Sequence, residues 1–106
     1  MHIIKKKTLE AFGKRHADAR QALLSWHYTV KKEDWTGPND VKLKFPSASI
    51  INDERVVFNI KGNNYRLLAA VSYRQEGMKQ GTVFIIRVMT HAEYDRFDMK
   101  TLGYEG

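Results

Sequence analysis

An α+β fold, with an N-terminal helical hairpin packed on a twisted, mainly antiparallel β-sheet, is predicted by three features of this 106-residue chain. Apolar side chains recur at helical spacing from Leu9 to Val30, and the period falls to two from Val56 onward. Between two such alternating runs stands Lys61-Gly62-Asn63-Asn64, a turn sequence that joins them as a hairpin. With 42% apolar and 11% aromatic residues the chain can bury one modest core. No repeat, low-complexity stretch or long linker divides it, so a single domain over residues 1–106 is expected.

The elements follow in order. His2-Ile3-Ile4 reads as a short strand. Thr8 is the expected N-cap of a first helix whose Leu9, Phe12 and Gly13 share one side. Asp18 restarts the helical pattern, with Gln21 three residues on completing a capping box. Ala19, Ala22, Leu23, Trp26, His27 and Val30 then form the apolar stripe, where Trp26 reads as core and His27 as packing. The breaker-rich Trp35 to Asp40 ends the helical region, with Trp35 expected to cover the end of the hairpin and Asp40 to cap a short helix over Val41 to Phe45. Beyond Pro46, Val56, Phe58 and Ile60 alternate with Arg55, Val57 and Asn59. After the turn comes a strand from Tyr65 to Tyr73, then a polar loop from Arg74 to Gly81, then an apolar, β-branched strand from Thr82 to Met89.

Strand parity separates two faces. Tyr65, Leu67, Ala69 and Val71 are expected to pack under the helices. Arg66, Leu68, Ala70, Ser72 and Arg74 then point to the opposite, more open face, where Arg66 would lie near Asn59 or Arg55 on a basic, partly concave surface.

Eighteen Lys and Arg against twelve Asp and Glu give a formal charge of +6 and a pI near 9.7, the footprint of a polyanionic partner such as RNA. The chain has no cysteine, which excludes disulfides and thiolate metal sites. No apolar run approaches the roughly 18 residues of a membrane span. The opening Met1 to Lys7 lacks the apolar stretch of a secretion signal, so a cytoplasmic location and no membrane partner are expected. His2, His16 and His27 lack metal-ligand spacing, and no metal or other cofactor is expected. Lys5-Lys6-Lys7 reads as a solvated face that can also touch ribosomal RNA.

Chemistry concentrates in Thr90-His91-Ala92-Glu93-Tyr94-Asp95. Thr90 is a plausible N-cap, and His91 and Tyr94, three apart, then share a face. The same spacing also suits an ordinary capped surface turn, in which Thr90 and Glu93 form a capping box and the carboxylate is structural.

This segment, together with Arg55-Val56-Val57-Phe58-Asn59-Ile60-Lys61-Gly62-Asn63-Asn64-Tyr65-Arg66-Leu67, resembles the signature of HigB toxins. Weaker matches stand upstream at Pro38, Lys42 and Phe45-Pro46-Ser47. The resemblance implies the small α+β fold of the RelE-like superfamily and metal-free cutting of messenger RNA on the translating ribosome, with attack by a ribose 2′-hydroxyl. It also implies a neutralising helix-turn-helix antitoxin of the HigA type.

In-line attack by a 2′-hydroxyl needs a proton acceptor, a proton donor for the leaving 5′-oxygen and cations for the phosphorane. His91 carries an imidazole, the usual proton carrier at neutral pH, and is the expected general acid or base. Glu93 and Tyr94 are accessory groups, and Arg66 grips the phosphate in bidentate fashion. Lys42 and Lys44 would add charge if their segment folds over the site, and Asn59 and Asn63 are further RNA contacts or else turn and strand-end structure. The family pattern carries a basic residue four positions before the threonine, where this chain has Ile86; its arginine is Arg87. A one-residue shift reverses the face of a strand residue. Three outcomes stay open for Arg87: return to the site face by a bulge, a structural ion pair, or a weaker site. The same chain also fits a gyrase-poisoning toxin of this fold class, or a silent RNA- or ribosome-binding module.

Overall fold

The structure, a computed structural model, describes residues 1–96. In chain order it contains β1 (His2–Ile4), α1 (Lys6–Arg15), α2 (Ala17–Lys31), α3 (Pro38–Lys44), β2 (Ser49–Ile50), β3 (Arg55–Ile60), β4 (Tyr65–Ser72), β5 (Thr82–Thr90) and α4 (His91–Asp95). The strands form one sheet in the order β1-β5-β4-β3-β2. Among the described strands only β1 with β5 is a parallel pair; the others are antiparallel. The architecture is the expected α+β one, with β2 an addition that its two residues gave no periodicity to announce. Among the described residues no helix is long and apolar enough to cross a membrane.

The helix boundaries differ from those expected, because each capping residue found another partner or position. Thr8 lies inside α1, whose N-cap is Lys5 in the left-handed region at φ 75°. His16 rather than Asp18 precedes α2; the Asp18 carboxylate instead accepts the Tyr65 hydroxyl at 2.6 Å and pairs with Lys61 at 3.5 Å, tying α2 to the end of the sheet. That hydroxyl bond holds the Asp18 carboxyl below its usual range. α3 starts at Pro38 behind Gly37, and Asp40, in its first turn, reaches back to the Thr36 amide and hydroxyl at 2.8 and 3.0 Å. Proline at the first turn costs no hydrogen bond there.

One face of β3, β4 and β5 packs beneath α1 and α2. Val56, Phe58, Ile60, Leu67, Ala69, Val83 and Ile85 meet Leu9, Phe12, Leu23, Trp26 and Val30 in a continuous core. The parity expected for the Tyr65 strand is the one observed. His27 is half-buried on the α2 stripe, and burial together with Lys6 and Lys31 lowers its pKa.

Trp35 is a core residue, not a cover for the hairpin end. It is 1% exposed, stacks on Phe58 at 6.0 Å and meets Phe45 edge-on at 6.1 Å, while Phe58 also takes Trp26 at 5.3 Å. Aromatic pairs in such geometry add to the stabilisation from burial alone. Trp35→Ala is expected to lower unfolding free energy by about 3–5 kcal/mol. Urea denaturation checks this, and a loss below ~1 kcal/mol would contradict the stacked cluster as a main support.

Gly81 is required where β5 begins. A Cβ there would stand 2.5 Å from the Ser72 carbonyl and 2.8 Å from the Arg74 amide, while the Gly81 carbonyl accepts the His2 amide that starts β1.

Candidate active site

The β3–β4 turn is where distant segments meet. Lys61 and Gly62 both adopt positive φ, 52° and 63°, which reverses the chain in four residues and leaves Asn63 and Asn64 facing the start of α4. The Asn63 backbone carbonyl accepts from the Arg66 guanidinium at 3.1 Å, and its side-chain oxygen accepts at 2.5 Å. Next to it, the Asn64 carbonyl accepts the His91 amide at 3.0 Å. The Arg66 guanidinium and the His91 backbone are thus anchored to consecutive residues.

Arg66 does not emerge on an open basic surface as parity suggested; it is only 8% exposed. Its face of the sheet carries a second apolar cluster of Val57, Leu68 and Met89, with Ile51, Ile86 and Tyr94 packed against it. The Tyr94 ring lies 5.4 Å from the guanidinium carbon, a cation–π contact. The carbonyls of Asn63 and Tyr65 and the Asn63 side chain take three of the five N–H donors. Two N–H donors have no partner among the described residues, and they are fixed in direction by the three that do. Asn59 sits directly opposite Arg66 in the β3–β4 register, as expected.

His91 opens α4, and Thr90 caps it. The Thr90 hydroxyl accepts the Glu93 amide at 3.1 Å, and the Glu93 carboxylate accepts the Thr90 amide at 2.9 Å. That backbone bond lowers the Glu93 pKa. Glu93 is therefore engaged in the cap, and the carboxylate beside the imidazole is Asp95, one turn on, at 3.1 Å from Nδ1. Asp95 is the site residue the sequence reading passed over; its i,i+4 spacing from His91 was the available signal. An imidazole held through Nδ1 presents Nε2 to the outside. Burial raises the Tyr94 pKa, with Asp95 adding and Arg66 opposing, so the phenol stays protonated at neutral pH.

Glu93→Gln separates structure from chemistry, because glutamine also completes a capping box. A depressed carboxyl contributes stability above its unfolded pKa, near ~4.3, and loses it as pH falls through the folded value. The variant is expected to retain activity within a few-fold and to show a flatter acid limb in unfolding. A large loss of activity at unchanged stability would assign Glu93 to proton transfer.

Arg87 reaches the Arg66 face through a bulge. Leu68 pairs with Arg87 but Ala69 pairs with Ile85, so Ile86 is the extra residue and the alternation of β5 is reset. Arg87 stands opposite Leu68, one pleat from the Arg66–Met89 pair. Lys42 is not folded over the imidazole. Its ammonium donates to the Pro46 and Ala48 carbonyls, both at 2.7 Å, and closes the connection into β2, an edge strand two places from β4 and about 10 Å away. Lys44 is exposed in the last turn of α3. Among the described residues no group of three or more His, Asp or Glu is arranged to hold a metal ion.

Two helices on a five-stranded sheet, with an imidazole, a phenol and a guanidinium gathered at one end, define a RelE-like α+β protein. The family model HigB_toxin, described as the RelE-like toxic component of a toxin–antitoxin system, matches residues 19–97, and the chain belongs to that family. Among similar proteins are the mRNA interferase toxin HigB of Escherichia coli strain K12 and the mRNA interferase HigB of Shigella flexneri. Each is 31% identical over 99 residues, 92% of this chain and 90% of the relative. The mRNA interferase HigB of Escherichia coli O6:H1 is 26% identical over 98 residues, 91% and 90% of the two chains.

Proposed function

We propose that this toxin is an mRNA interferase that cuts messenger RNA on the translating ribosome without a metal. The observation carrying this is the bonding of the Arg66 guanidinium to Asn63 and of the His91 backbone amide to Asn64, which brings these two residues from distant segments to one turn. The names of the relatives support the same reading.

The ribose 2′-oxygen attacks the adjacent phosphorus as its proton leaves; the bond to the 5′-oxygen breaks, and that oxygen takes a proton. The products are a 2′,3′-cyclic phosphate and a 5′-hydroxyl. His91, oriented by Asp95, carries one proton transfer, and the protonated Tyr94 donates to the oxygen that becomes negative. Arg66 and Arg87 stabilise the phosphorane, Asn59 and Asn63 line the strand's path, and Lys42 and Lys44 contribute long-range attraction. A helix-turn-helix antitoxin of the HigA type is the neutralising partner, and the protein acts in the cytoplasm.

Mapping transcript ends after induction tests this. New 5′-hydroxyl ends within translated frames, absent when ribosomes are omitted from a purified reaction, are expected. Intact messenger RNA accompanied by a DNA-damage response would replace this reading with gyrase poisoning, and ribosome association without new ends would leave a binding module.

A further inference from the structure

The face that carries Arg66 continues beyond Arg87. Along the strands, the row Asn59–Arg66–Met89 is followed by Val57–Leu68–Arg87 and then by Arg55–Ala70–Phe84. At roughly 3.4 Å per residue, two residues of β4 separate successive rows, about 7 Å each. At the third row a cleft of about 350 Å³ opens, lined by Asp53, Glu54, Ser72, Gln75, Thr82 and Phe84 among others.

Phe84 is the unusual member. It is an aromatic residue in mid-strand, 37% exposed, and belongs to neither apolar cluster. Its neighbour across β4 is the small Ala70, which leaves room against the ring. An exposed aromatic beside single-stranded nucleic acid is a stacking platform for any base. The rest of the lining decides which part of a nucleotide enters. Asp53 and Glu54 are exposed acids that repel phosphate but accept from exocyclic amino groups, and Gln75 and Ser72 can each donate and accept. Glu54 also lies 3.7 Å from Arg55, a cation lining the same cleft, which tempers the acid's charge and leaves a positive group for the backbone beside the base.

We infer that this cleft seats one base of the bound strand on Phe84, an amino-bearing adenine, cytosine or guanine rather than uracil, at a fixed offset from the phosphate held by Arg66. The site extends the proposed cleavage groove and rests on that reading for its substrate. It makes Phe84 the platform that seats the base and Asp53 and Glu54 the groups that select it, all remote from the proton-transfer groups.

Two measurements test it. Fluorescence anisotropy with short oligomers of deoxyadenosine, deoxycytidine or deoxyuridine, which lack the attacking 2′-hydroxyl, is expected to show preference for the first two. Phe84→Ala should weaken those two about tenfold, the size of one lost base–aromatic stack, and Phe84→Trp should restore them. On programmed ribosomes, Phe84→Ala should lose the preference for an amino-bearing base at one offset from the cut, because the base is no longer held against Asp53 and Glu54. Absence of oligomer binding by the unaltered protein, or equal binding by Phe84→Ala, overturns the inference. Phe84-dependent binding by a protein that cuts no transcript would keep the base site and sink the nuclease reading instead.

Discussion

His91→Ala is expected to lower transcript cleavage by about 10²–10⁴-fold, the usual contribution of one general acid or base, with almost no change in unfolding free energy. The two outcomes separate because the imidazole and the backbone of His91 do different jobs. Its amide donates to the Asn64 carbonyl, and alanine keeps that bond. Its side chain, 43% exposed, has one ion-pair partner among the described residues, Asp95. Exposed pairs of this kind contribute about 0–1 kcal/mol. End mapping combined with urea denaturation therefore reads chemistry and folding independently, and a variant that cleaves within a few-fold of the unaltered protein would remove His91 from proton transfer. Asp95→Asn should show a smaller loss, because its carboxylate acts by orienting the ring.

Arg66→Lys should cost about 10²-fold in cleavage although the positive charge is kept. An ammonium is a point charge without the planar fork, so it cannot hold both carbonyls and the Asn63 side chain while aiming two further donors outward. Removing one preorganised donor from a developing oxyanion has a cost of this order. Stability should fall as well, by about 1–3 kcal/mol, since hydrogen bonds to a largely buried group are lost. Near-normal cleavage by Arg66→Lys would mean that charge alone matters and that the fixed orientation is incidental.

Much of this was legible in the sequence, and the failures share a cause. The alternation of Val56, Phe58 and Ile60 and the helical stripe from Ala19 to Val30 report local periodicity against one core, and they placed the sheet, the hairpin and the buried face correctly. Thr8, Asp18 and Asp40 are not the N-caps because residue type ranks capping preference but does not reveal where a helix begins, as at Thr8 inside α1, or which other partner a side chain takes, Tyr65 for Asp18 and Thr36 for Asp40. Trp35 stood in a breaker-rich loop, and nothing local announces that it stacks on Phe58. The burial of Arg66 depends on Tyr94 from a segment nearly thirty positions away. Parity alone would have aimed Arg87 at the helices; the extra residue at Ile86 reverses that, and a bulge in an apolar run leaves no mark in composition. The His91 segment was conspicuous, yet the capping box drew Glu93 and left the neighbouring role to Asp95.

The tethering of Arg66 and His91 to neighbouring peptide units works like a machinist's jig. Asp18 of α2 holds the turn itself, through Lys61 and the Tyr65 hydroxyl, so breathing of the helical layer carries the two tools together and leaves their spacing to the turn. By the same token, lengthening the four-residue reversal at Lys61–Asn64 by a single residue would throw both out of alignment together, while an insertion of equal size in the Gln75–Gln80 loop would leave their alignment intact.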